Sequence, residues 1–86
     1  VKTSNPASFE LFPNPMVKGQ SLNVDLGGSQ SKPLRLSVRD VSGRLIHSDI
    51  VKENTVLDHQ AFKQSGIYLV SLEGDGIREV RKLIVE

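Results

Sequence analysis

Apolar residues in this chain recur at every second position, in short runs separated by turn residues. Leu22, Val24 and Leu26 alternate with Asn23 and Asp25, the period-two signature of a half-buried strand over residues 21–26. Residues 34–41 repeat the pattern, with Leu36 and Val38 predicted inward and Arg35, Ser37 and Arg39 outward. A tight Ser42-Gly43 turn leads into a returning strand over 45–51, whose parity is split. Leu45 and Val51 fall on one face, Ile46 and Ile50 on the other. Ahead of these, residues 9–12 form a first strand that Pro13 stops, because proline has no N–H for the ladder; Pro15 reinforces the stop and residues 16–19 complete the turn. Residues 55–58 make a short strand, and 59–65 hold one helical turn around Phe62. The chain then forms a hairpin around Gly74-Asp75-Gly76. In its first strand Tyr68, Val70 and Leu72 share a face while Ile67 and Leu69 share the other, so both sides are apolar. In its last strand Val80, Lys82 and Ile84 face one way and Arg81, Leu83 and Val85 the other.

Seven short strands with frequent turns and no substantial helix predict an all-β fold, an antiparallel Ig-like β-sandwich. Residues 1–8 are polar and aperiodic and read as a linker end, leaving 9–86 as one domain. At 86 residues and 37% hydrophobic content, without tryptophan, the core is expected to be small and aliphatic. The 11 basic and 10 acidic residues are interspersed, so no stripe follows a phosphate backbone and no nucleic-acid partner is expected. No basic amphipathic helix or long apolar run is present, and direct membrane insertion is not expected either. The chain starts at Val1 rather than Met, as a piece excised from a longer protein would, and any export signal is expected upstream.

Candidate chemistry is thin. His47 and His59 fall on different predicted elements and lack the partners a general base or metal site needs. Asp40, Asp49, Asp58 and Asp75 are spread over separate turns, where carboxylates capping backbone N–H groups explain them better than a Ca²⁺ loop does. Gly74-Asp75-Gly76 precedes a strand, not the helix that a phosphate loop requires. No catalytic, cofactor-binding or metal residue is assigned, and an enzyme is not expected.

Three segments carry a resemblance. The first is Leu11-Phe12-Pro13-Asn14-Pro15 with Gly19. The second is Val38-Arg39-Asp40-Val41-Ser42-Gly43-Arg44-Leu45-Ile46. The third is Ser65-Gly66-Ile67-Tyr68-Leu69-Val70 followed by Lys82-Leu83-Ile84-Val85. In this order, the chain resembles the C-terminal sorting domain of type IX secretion cargo. The resemblance implies a secretion address. Such a domain follows an upstream cargo domain into the periplasm. A shuttle protein and the outer-membrane translocon recognise it, and a sortase-like cell-surface peptidase removes it, leaving the cargo at the cell surface or outside. Recognition is expected at Lys82, Leu83, Ile84 and Val85, with Arg44 second, since a turn does not need a guanidinium. Pro13, Asn14, Pro15, Gly19, Asp40, Gly43, Gly66, Tyr68 and Val70 are expected to be mainly structural. The last strand could offer its outer face or its edge, by strand addition, unless a loop or the first strand covers it. Two other readings compete: an adhesion or carbohydrate-binding module, which would need an exposed aromatic platform, and an Ig-like spacer.

Overall fold

The computed structural model describes residues 9–27, 32–74 and 76–86. The expected linker over 1–8, part of the loop before Pro33, and Asp75 lie outside the described residues. Seven strands follow one another: β1 (Glu10–Phe12), β2 (Leu22–Asp25), β3 (Leu34–Asp40), β4 (Leu45–Val51), β5 (Thr55–Leu57), β6 (Gly66–Gly74) and β7 (Ile77–Val85). A single 3₁₀ turn, His59–Ala61, sits between β5 and β6. The strands build two antiparallel sheets, ordered β1-β2-β5 and β4-β3-β6-β7.

Alternation decides the layers. Leu22, Val24 and Leu57 from the smaller sheet, with Leu26 just past β2, meet Leu36, Val38, Val70, Leu72, Leu83 and Val85 from the larger one in one buried cluster. Phe9, Met16 and Phe62 close its ends from outside the strands. Phe62 meets Tyr68 edge to face, with ring centroids 5.3 Å apart. Arg81 lies over the Phe9 ring at 5.2 Å while its guanidinium pairs with Glu79 at 3.2 Å.

The split parity of β4 has a local cause. Register with β3 shifts between Val38 and Arg39, which face His47 and Leu45 and leave Ile46 as the extra residue of a β-bulge. The bulge turns Ile46 onto the core, so that Ile46 and Val51 both pack inward while Leu45 and Ile50 stay exposed. Residues 16–19 do more than complete a turn. Met16 leaves the smaller sheet and forms a parallel bridge with Val85 on the larger one.

Candidate functional site

The DVSGR segment is a hairpin turn organised by Asp40. The Gly43 N–H donates to the Asp40 carbonyl (2.9 Å), and the Asp40 N–H donates to the Arg44 carbonyl (3.0 Å). Gly43 sits at φ 91°, where a side chain would be strained, which is why glycine occupies this hairpin position. Asp40 Oδ1 accepts from the Ser42 hydroxyl (2.6 Å), the Ser42 N–H (3.0 Å) and the Arg44 N–H (3.0 Å). The Ser42 hydroxyl bond holds the carboxyl below its ordinary value of 3.8; the two backbone N–H groups and the Arg44 guanidinium pull the same way, and partial burial opposes them. Arg44 Nε lies 3.3 Å from Asp40 Oδ2, and the Arg44 side chain is 75% exposed. The pair spans the turn, four residues apart, and an exposed pair of this kind adds little stability. Beside it a shallow cleft of about 490 Å³ is bordered by Arg44, Ile46, Ala61 and Lys63.

The Pro13-Asn14-Pro15 segment grips the opposite side of the same sheet. Both X-Pro bonds in it are cis. Asn14 Nδ2 donates to the Lys82 carbonyl (2.9 Å), and the Ile84 N–H donates to Asn14 Oδ1 (3.1 Å). One side-chain amide thus does for β7 what a neighbouring strand would do. Backbone bonds continue the grip. The Met16 N–H donates to the Ile84 carbonyl (2.8 Å), the Glu86 N–H to the Met16 carbonyl (2.7 Å) and the Lys18 N–H to the Glu86 carbonyl (3.3 Å). Gly19 lies in the turn that follows, where the Gln20 N–H reaches the Val17 carbonyl at 3.1 Å.

Residues 82–85 divide cleanly. Leu83 and Val85 are buried; Lys82 and Ile84 point to solvent from the outer face of the larger sheet. Their hydrogen-bonding edge is covered by the Asn14–Met16 segment, so the last strand presents a face here rather than an edge. At the other margin of the sheet, β4 is blunted by its bulge and by Asp49, whose Oδ1 takes the Ile50 N–H at 2.8 Å.

Register gathers the three motif segments. Asp40 opposes Tyr68, which opposes Leu83, and Gly66 opposes Val85, with Asn14 clasping the outside of the same strand. The Tyr68 ring is buried and its hydroxyl donates to the Gln64 carbonyl at 2.7 Å; Val70 is buried two residues on. The motif residues therefore span one end of a single sheet, though they are scattered along the chain. Asn14 is the residue that sequence reasoning undervalued. Flanked by two prolines it reads as part of a strand stop, and no local signal reveals a partner 70 residues away.

Among the described residues no group of three His, Asp or Glu side chains is placed to hold a metal ion. Asp25, Asp49 and Asp58 each cap a nearby backbone N–H, as Asp40 does. The four aromatic rings make no exposed platform: Phe9, Phe62 and Tyr68 are buried, and Phe12 alone is exposed. A family model described as a secretion system C-terminal sorting domain matches residues 10–86. No curated protein matches the chain.

Proposed function

The chain belongs to the secretion system C-terminal sorting domain family of type IX secretion, and on that premise we propose that it is the address by which an attached cargo crosses the outer membrane. In this reading a shuttle protein and the translocon recognise the domain in the periplasm, and a sortase-like peptidase removes it at the cell surface. The observation that carries the reading is the extent of the family match, which runs over all seven strands rather than over a tail. The address is then the folded sandwich, with contact residues chosen by what the fold leaves outside. Lys82 and Ile84 are the contact residues of the last strand, and Arg44 is a second exposed group near the same end. Leu83 and Val85 serve by filling the core, and the remaining motif residues serve by shaping turns and clasping β7. Cleavage fits residues 1–8, whose sequence reads as a polar, aperiodic linker end and which lie outside the described residues, or the chain upstream, because a peptidase needs extended, unpaired backbone.

The test is a fusion of residues 1–86 to a periplasmic reporter in a type IX-competent host. Surface delivery supports the reading, and retention in the periplasm sinks it. Deleting residues 82–86 would strip Leu83 and Val85 from the core, so the informative variants are Lys82→Glu with Ile84→Asp, scored against the reporter with the domain intact.

A further inference from the structure

The outer face of the larger sheet combines exposed aliphatic groups with a one-sided charge. Register defines its rows. Arg39, Leu69 and Lys82 lie side by side across β3, β6 and β7; Ile67 lies beside Ile84 in the next row. On the other side of the Leu69 row run Ser37, Ser71 and Val80, and beyond them Arg35, Glu73 and Arg78. The described residues of these three strands thus place four cations and one carboxylate on this face, in a chain whose overall charge is only +1. Glu73 sits between Arg35 and Arg78 in its row, which leaves Arg39 and Lys82 flanking Leu69 with no carboxylate beside them in register; Arg39 Nη1 donates to the Gly43 carbonyl at 3.2 Å, a bond that keeps its charge unneutralised. The face of the smaller sheet is different, carrying Glu10 opposite Asp25.

We propose that this face docks flat against a protein surface whose apolar centre is bordered by carboxylates. Resting on the sorting-domain reading above, the inference names the chemistry of the partner. Charge complementarity sets the rim: carboxylates on the partner would meet Arg39 and Lys82 on either side of Leu69. The relief of the face argues for a protein rather than a lipid surface. Ile67, Leu69, Val80 and Ile84 are 42%, 41%, 44% and 36% exposed, and β4 continues the face with Leu45 beside Arg39 and Ile50 beside Arg35, 48% and 56% exposed. They rise in rows from a sheet interspersed with serines and charges, a surface that suits contact with a flat partner better than the continuous apolar side with which an amphipathic helix enters the acyl boundary. Neither edge offers an alternative site near the terminal strand, since Asn14 and Met16 cover β7 there and a bulge with Asp49 blunts β4.

The experiment uses the 86-residue chain fused to the reporter. Arg39→Glu with Lys82→Glu is expected to lower surface delivery about tenfold or more, because each reversal sets like charges face to face. Leu69→Asp should act in the same direction. Glu10→Lys with Asp25→Lys, on the opposite sheet, should deliver normally. Circular dichroism melts verify that every variant folds, and a photocrosslinking residue in place of Leu69 reads the contact directly in the wild-type background. A crosslink to a protein segment carrying Asp or Glu beside aliphatic residues supports the proposal; a crosslink to a basic segment overturns it. Normal delivery of the Arg39→Glu/Lys82→Glu chain overturns the proposal while leaving the sorting function intact. Failure of the wild-type fusion to leave the periplasm removes both. Binding of the wild-type chain to phosphatidylglycerol vesicles, abolished by the same double substitution, would assign the face to lipid and overturn the proposal.

Discussion

Replacing Asn14 with alanine isolates the clasp on β7. The amide makes two hydrogen bonds, one from its Nδ2 to the Lys82 carbonyl and one from the Ile84 N–H to its Oδ1. A typical intramolecular hydrogen bond contributes about 0.5–1.5 kcal/mol net. Both of these are exposed, so water replaces part of what is lost and the pair together is worth about 1–2 kcal/mol. For a domain of this length the unfolding entropy is about 0.18 kcal/mol/K, which converts the loss to a fall in Tm of about 5–11 °C. Thermal unfolding followed by circular dichroism measures the shift. Hydrogen exchange locates it: the Ile84 amide should lose protection beyond the global change, while interior amides of β6 should change only by the global amount. Asn14→Asp keeps the acceptor for Ile84 but loses the donor to Lys82, and should fall between. A Tm shift under about 2 °C, the size of an ordinary surface substitution, would refute the reasoning. So would an Ile84 amide equally protected in both proteins.

Three further outcomes follow from the same structure. Leu83→Ala should cost about 2–5 kcal/mol in urea unfolding, whereas Lys82→Ala, one residue away on the other face, should stay within about 0.5 kcal/mol of wild type. Gly43→Ala meets no atom within 4 Å, so its cost is the positive φ alone, about 1–2 kcal/mol by the same assay. The Asp40 pKa is lowered by folding; its contribution is therefore present above the unfolded value of 3.8 and lost as pH falls through the lower folded value. Urea midpoints recorded from pH 5 downward should accordingly fall less steeply for Asp40→Asn than for wild type below about pH 4.

Much of the sandwich was legible because its strands are half buried. Alternation at Leu22, Val24 and Leu26 reports directly which side is wet. At Leu36 and Val38 it marks the core face, but Ser37 between them, expected outward, is buried although register sets it on the outer face beside Ser71, because it stands on an interior strand with β4 and β6 on either side. The observed strands differ from the expected ones by a residue or so at their ends. Strand β4 was not legible in the same way. Its bulge inserts one residue between two stretches of opposite parity, and periodicity has no symbol for an insertion whose cause lies on the partner strand. Phe9 and Met16 are buried core residues outside any strand, where no period exists to read. Both faces of β6 carry apolar side chains, and the sequence shows that this surplus exists without showing its place. Only the register with β3 and β7 sets Leu69 between Arg39 and Lys82. The DVSGR turn was the simplest case, because its bonds are local and an Asp ahead of Ser-Gly forms them within five residues.

The clasp also has a kinetic meaning. Asn14 and its two partners on β7 are 68 and 70 residues apart. Closing a loop of that length costs chain entropy before its bonds return anything, so such contacts assemble late, after the hairpins that bring the strands together. Interactions made after the rate-limiting step leave the folding rate almost untouched and set how slowly the native state opens. The Pro-Asn-Pro opening is then a brake on unfolding. It lengthens the time for which the terminal strand stays seated.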